Sequence, residues 1–267
     1  MEGYNLNMKI KYYVADAFAD NLFSGNPAGV CLLDDYLDEK IMQNIAAENN
    51  LAETAFIVRS GDDFDLRWFT PATEINLCGH ATLASAFIIS NFLDKNRIEM
   101  KFNTMSGVLT VIKKDNLYEM DFPAWQLKPV EITRLMRNSL NVPILEAHLS
   151  RDLILVVNSE DDLKNLTPNI EIMRNIPNCF GIGVTAKGNT ADYVVRVFAP
   201  NAGIIEDPVT GSVQSELIPF WASRLNKQKM TAKQLSKRGG TLFCENCGER
   251  VKIAGKVVLY MTGEINL

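Results

Sequence analysis

The pentapeptide Arg67-Trp68-Phe69-Thr70-Pro71 returns as Arg196-Val197-Phe198-Ala199-Pro200, at an offset of 129 residues. Each copy follows a strand-like run and precedes a glycine-containing turn into a helical segment. Further on, each helix gives way to a Gly that opens a strand: Ser106-Gly107-Val108-Leu109 in the first case, Gly239-Gly240-Thr241-Leu242 in the second. Two matches in the same order predict two equivalent domains, each about half the chain, with a site in the cleft between them. The Pro123–Pro129 stretch reads as the boundary, giving residues 1–123 and 124–267, with the final strand free to cross back to the first half.

Outward from the repeat, strand patterns outnumber helical ones. The first half offers Lys11–Phe18, Ala28–Leu33 after a Gly25-Asn26-Pro27 turn, Glu53–Val58, Phe64–Phe69, Ile98–Phe102, Gly107–Lys113 and Leu117–Phe122. Asp34 and Asp35 are candidate N-caps for a helix carrying Leu37, Ile41 and Ile45, and Gly79 to Leu93 reads as a buried helix. The second half offers strands at Leu153–Asn158, Phe180–Val184 and Tyr193–Ala199, a helix over Gly211–Leu225, and strands again from Thr241. Strands arriving as meanders predict an α+β fold of mixed and antiparallel sheets. No G-x-G-x-x-G or Walker sequence argues for a Rossmann fold.

Composition narrows the function. Of 267 residues 47% are hydrophobic, enough for a substantial core, and 32 acidic against 27 basic residues leave a net charge of −5. That balance supplies no basic stripe for nucleic acid. The longest apolar stretch, about Ala81 to Leu93, is broken by Ser85, Ser90 and Asn91 and falls short of the roughly 18 residues of a membrane span. A polar N-terminus shows no signal-peptide pattern. Five cysteines, an odd count, suit a reducing cytoplasm better than a disulfide framework.

Extending the repeat without gaps sets Cys78 opposite Asp207 and Gly79-His80 opposite Pro208-Val209. Both would sit on turns leading into helices, so two helix N-termini would offer unpaired N–H groups and positive dipole ends to an anion such as a carboxylate. Small residues, Gly79, Ala81, Gly211 and Ser212, would let a ligand approach the backbone. Each turn taken singly is also consistent with plain helix capping; the pairing favours a site.

These residues carry a family resemblance. Asp16-Ala17-Phe18 with Phe23-Ser24-Gly25-Asn26-Pro27-Ala28-Gly29-Val30, Ala52-Glu53-Thr54-Ala55-Phe56, Leu77-Cys78-Gly79-His80-Ala81-Thr82, and Gly203-Ile204-Ile205-Glu206-Asp207-Pro208-Val209-Thr210-Gly211-Ser212 keep their order over nearly the whole chain. Together they resemble the PhzF-like phenazine-biosynthesis isomerases. The resemblance implies the diaminopimelate-epimerase-like fold, with two similar domains, each a curved sheet around a central helix. It also implies an isomerase without cofactor, usually a homodimer.

By that resemblance Glu53 is the catalytic acid/base, moving a proton between carbons of a small unsaturated carboxylic acid. Its apolar surroundings, Leu51-Ala52 and Ala55-Phe56-Ile57-Val58, suit a partly buried carboxyl with basicity nearer neutral pH. A glutamate opening a strand is otherwise most often solvated. His80 and Asp207 match positions that hold substrate and assist proton transfer. From the residues alone, a core histidine and a helix N-cap stay open for them.

Cys78 sits where related epimerases and racemases carry their first thiol, at a helix N-terminus that favours thiolate. No cysteine lies between Cys179 and Cys244 to serve as the second, so a two-thiol mechanism does not fit. Cys244-x-x-Cys247 lacks two further ligands at paired spacing for zinc. The pair reads as the arms of a hairpin around Glu245-Asn246, with an oxidation-sensitive pair as the alternative. The sequence therefore predicts a cytoplasmic, metal- and cofactor-free isomerase acting on a small carboxylate. Glu53 is catalytic, and Gly79, His80, Asp207, Gly211 and Ser212 bind substrate. The rival readings are an epimerase or racemase using Cys78, and a non-catalytic small-molecule binder.

Overall fold

The computed structural model describes residues 8–267. Two compact units divide the chain, one of residues through Asp121 with Gly255–Leu267, the other Phe122–Ala254. The first holds β1 (Lys9–Ala17), β2 (Asn26–Leu33), α1 (Glu39–Asn49), β3 (Glu53–Ser60), β4 (Asp63–Phe69), β5 (Glu74–Ile75), α2 (Gly79–Ile88), β6 (Glu99–Thr104), β7 (Gly107–Lys114), most of β8 (Leu117–Pro123) and the last strand, β18 (Val257–Asn266). Its sheet runs β18-β1-β2-β3-β4-β6-β7-β8. Every neighbouring pair is antiparallel except β2–β3 and β4–β6, and short β5 returns onto β4.

The second unit holds β9 (Lys128–Val130), α3 (Arg134–Ser139), β10 (Ile144–Leu149), β11 (Leu153–Val157), α4 (Glu160–Lys164), α5 (Ile170–Arg174), β12 (Ile182–Lys187), β13 (Tyr193–Ala199), β14 (Ile204–Asp207), α6 (Gln214–Leu225), β15 (Lys229–Gln234), β16 (Gly240–Asn246) and most of β17 (Arg250–Gly255). Its order is β9-β10-β11-β12-β13-β15-β16-β17. The parallel pairs fall at the same two places, β11–β12 and β13–β15, and short β14 returns onto β13. The two units thus share one topology, with β18 in the first standing where β9 stands in the second.

That shared topology explains the pentapeptides, which close β4 and β13. Arg67 in the first holds Glu74 of β5 through Nε and Nη2 at 2.6 and 2.7 Å. Arg196 in the second holds Glu206 of β14 through Nε and Nη2 at 2.7 and 3.1 Å. Each two-point Arg–carboxylate pair fastens a short return strand to its neighbour.

Burial follows the patterns. α2 is almost wholly buried, from His80 to Ile88 apart from Phe87, and packs against β1, β2, β3, β7 and β18. It continues as a π-helical turn, Ile89–Leu93, where Ser90 and Asn91 reach the Tyr118 hydroxyl at 2.7 and 3.0 Å. On the other side of the sheet, α1 packs Met42, Ile45 and Ala46 against Ile10, Val14, Phe56 and Phe69. Truncating a fully buried aromatic such as Phe56 costs about 3–5 kcal/mol. α6 stacks Trp221 on Tyr193 with ring centres 5.8 Å apart. Pro219 inside α6 cannot bond the Ser215 carbonyl one turn back, and the Trp125 N–H fills that acceptor at 2.8 Å.

Four sequence expectations need correction. Asp38, not Asp34 or Asp35, caps α1, its carboxylate accepting the Lys40 N–H at 2.9 Å, so Leu37 lies before the helix. α6 starts at Gln214, not Gly211. Since α2 starts at Gly79, the repeat offset grows from 129 to 135, and the ungapped pairing of Cys78 with Asp207 fails: Cys78 caps α2, whereas Asp207 ends β14. Glu245 and Asn246 lie within β16, and the hairpin turns at 247–249, leaving Cys244 buried on the strand and Cys247 exposed in the turn.

Candidate active site

α1 ends at Asn50 in the left-handed region, φ 47°, which turns the chain so that Leu51-Ala52 lead into β3 with Glu53 as its first residue. Parallel pairing sets Glu53 beside Ala28 of β2. Gly25, with φ +72°, precedes that strand, and a Cβ there would lie 2.4 Å from the Ala17 carbonyl oxygen, so only glycine fits. The tight approach presents Asn26, whose side-chain nitrogen stands 3.3 Å from Nδ1 of His80. His80 is the second residue of α2, whose N-cap Cys78 is extended and makes no side-chain capping hydrogen bond.

These elements bring Glu53 and His80 together. Oε2 of Glu53 lies 3.0 Å from Nε2 of His80, and each residue is only 8% exposed. The contact is an ion pair when His80 is protonated, and neither atom has a further hydrogen-bond partner among the described residues. Buried polar atoms normally find partners; here a carboxylate oxygen and an imidazole nitrogen have only each other at 3.0 Å. On the other ring nitrogen, Cys78 Sγ sits 3.6 Å from Nδ1. Burial opposes the imidazolium, but Cys78 and Glu53 outweigh it and hold the His80 pKa well above the usual histidine value. Burial, then the Glu53 carboxylate, pushes the Cys78 thiol up against the pull of His80.

Glu53, Cys78 and His80 each offer one ligand atom within 4.8 Å of the others. Carboxylate, sulfur and imidazole make a donor set suited to zinc in kind and number. Holding the metal would require the Cys78 proton to leave, which burial resists.

In the second unit, Asp207, Gly211 and Ser212 lie on one turn between β14 and α6. Gln234, at the end of β15 and fully buried, pins this turn: its Oε1 accepts the Thr210 N–H at 2.9 Å, and its Nε2 donates to the Asp207 carbonyl at 2.7 Å. Thr210 Oγ1 donates to Asp207 Oδ2 at 2.5 Å. Asp207 is thus no helix cap; α6 is entered through Val213, without a side-chain cap.

Three contributors escaped the sequence reading. Asn26 was visible only as part of the Gly-Asn-Pro turn. Gln234, in an ordinary strand, gave no sign at all. Glu216, fully buried on α6, accepts the Arg151 and Asp152 N–H groups at 2.9 and 3.0 Å. Burial pushes its pKa up to about 7. An acidic residue among the apolar positions of an amphipathic helix was the available clue.

Residues 15–263 match the family Phenazine biosynthesis-like protein. A Pseudomonas aeruginosa protein described as an uncharacterized isomerase is 44% identical over 260 residues, covering 97% of this chain and all of its own. A crystal structure of a PhzF-family phenazine biosynthesis protein from Enterococcus faecalis is 44% identical, with a TM-score of 0.96 over 97% of this chain and 100% of that one. A predicted epimerase from Pseudomonas aeruginosa, 18% identical, shares the fold at a TM-score of 0.71 over 96% of this chain and 99% of its own. With matched strand patterns in its two units and the family's motifs in order along nearly its whole length, the chain belongs to the phenazine biosynthesis-like (PhzC/PhzF) family.

Proposed function

We propose that this protein is an isomerase that moves a proton within a small carboxylated metabolite, with Glu53 as the acid/base. The carrying observation is the Glu53–His80 pair: two buried polar atoms 3.0 Å apart, each without a further hydrogen-bond partner among the described residues. Glu53 takes a proton from one substrate carbon and returns it to another. His80, held toward its protonated form by its neighbours, donates to the substrate oxygen on which negative charge develops. Asp207, which matches a substrate-holding position by the family resemblance, binds a substrate hydroxyl or amine, and the small residues Gly79, Gly211 and Ser212 let the carboxylate approach the backbone. The relative described as an isomerase supports the reaction class.

The reaction uses no cofactor or metal, and the protein acts in the cytoplasm as a homodimer. Among the described residues no helix is long and apolar enough to cross a membrane. The experiment is incubation of unsaturated and amino carboxylic acids with the protein in deuterated water, following carbon-bound deuterium by NMR before and after dialysis against a chelator. Exchange that survives the chelator is the expected result. Binding without exchange across the panel would favour a non-catalytic binder, and exchange lost with the metal would refute the metal-free chemistry.

A further inference from the structure

Arg151 stands in the turn between β10 and β11, outside every motif read from the sequence. Its guanidinium is gripped on one side by buried Asp152, whose Oδ2 accepts from Nε at 3.1 Å and also from Nη2. The rings of Trp125 and Phe180 each lie 5.1 Å from its central carbon. Nη2 also donates to Ser212 Oγ at 2.9 Å. Nη1 has no partner among the described residues, and 32% of the side chain is exposed.

The turn that carries this guanidinium is held rigidly. Glu216 accepts the backbone N–H groups of Arg151 and Asp152, Asp152 Oδ1 accepts the Gly181 N–H at 2.9 Å, and the Arg151 carbonyl accepts the Phe180 N–H at 3.0 Å. Ser212 lies two residues before α6 and Glu216 in its first turn, so the entry to one helix holds both ends of the Arg151–Ser212 contact.

Direction matters here. Because Nη2 donates to Ser212 Oγ, the serine's own proton must point elsewhere, and the hydroxyl is left as a donor. Two donors, the Ser212 O–H and the Nη1 N–H groups, then stand side by side, with no carboxylate bonded to Nη1. We propose that Arg151 and Ser212 form a two-point clamp for a carboxylate group of the ligand, making Arg151 a specificity-determining residue. This rests on the reading of Ser212 as a substrate-binding residue. One carboxylate oxygen takes the Nη1 N–H and the other the Ser212 O–H, whereas a neutral amide of the same shape presents one oxygen and an NH₂ that clashes with the second donor. Asp152 already offsets the charge of Arg151, so the clamp selects by directed hydrogen bonds more than by net charge.

The test titrates the full-length protein with 4-fluorobenzoate and 4-fluorobenzamide, reading affinity by ¹⁹F NMR. The wild type is expected to prefer the carboxylate. Arg151→Gln should lower benzoate affinity about tenfold, the loss of one hydrogen bond to a charged group, and leave benzamide unchanged. Ser212→Ala should cost less in the Arg151→Gln background than alone. A wild type indifferent to the two probes, a folded Arg151→Gln that binds benzoate normally, or equal losses for both probes would overturn the clamp. If Arg151→Gln does not fold, Arg151→Lys decides: it keeps the charge but not the planar guanidinium that positions Nη1, and an unaltered benzoate preference refutes the proposal. Glu53→Gln keeps the two readings separable, since loss of exchange tests the acid/base and the benzoate preference tests the clamp.

Discussion

Oε2 of Glu53 and Nε2 of His80 approach to 3.0 Å although they stand 27 positions apart in sequence, and neither atom has a further hydrogen-bond partner among the described residues. Their proximity arises from β3 starting at Glu53 beside β2 and from α2 starting one residue before His80. A carboxylate and an imidazole so placed can each serve a third group, as proton transfer requires.

His80 should remain protonated at pH 7. Its pKa in the folded protein is raised well above 6.5, so the stability it contributes is complete below the unfolded value and declines as pH rises through the folded one. The stability difference between wild type and His80→Gln, measured by denaturant unfolding, should therefore be largest near pH 6 and shrink toward alkaline pH. The ring ¹⁵N shifts should be those of imidazolium at pH 7. Neutral-ring shifts at pH 7 would contradict the electrophilic role of His80.

Glu216 also lowers stability as pH rises, in a more acidic window. Burial raises its folded pKa from 4.5 to about 7, so the folded state keeps a proton that the unfolded chain has released. Stability is lost as pH climbs from 4.5 to 7, by about 3 kcal/mol at most. Glu216→Gln, which retains an oxygen for the Arg151 and Asp152 N–H groups, should flatten that decline and gain on wild type by about 1–3 kcal/mol at pH 8. Parallel pH profiles for the two proteins would show that Glu216 titrates alike in the folded and unfolded chains.

Thiol labelling should divide the cysteines by burial. Cys247 is exposed while Cys31, Cys78 and Cys244 are buried, and burial pushes Cys244 up to about 12. Iodoacetamide at pH 7.5 should modify Cys247 well before these three, as read by peptide mass spectrometry. Rapid modification of Cys78 would reveal an accessible thiolate and revive a cysteine-based epimerase.

The fold class was legible because the repeat is written in side chains that perform the same task twice, Arg67 on Glu74 and Arg196 on Glu206. The start of α6 was not. The second turn carries six more residues than the first, and an ungapped comparison slides past the insertion to a false match of Cys78 with Asp207. Glu53 and His80 could be named from motifs, but their approach depends on sheet pairing that no local pattern encodes. Gln234 and Arg151 were invisible for a related reason. Each acts on a turn that is distant in sequence, from a strand end or loop of ordinary composition. The Cys244-x-x-Cys247 spacing attracted a metal or redox reading, while the residues that do converge, Glu53, Cys78 and His80, come from two separate segments.

The central claim is that the Glu53 carboxylate carries the proton, and one comparison tests it most directly. Carbon-bound deuterium incorporation in deuterated water should be measured for wild type, Glu53→Gln and Cys78→Ala on a carboxylic acid that the wild type exchanges. The account predicts that Glu53→Gln lowers the rate by about 10²–10⁴-fold while Cys78→Ala stays within a few-fold of wild type. Exchange that persists in Glu53→Gln and disappears in Cys78→Ala would contradict it.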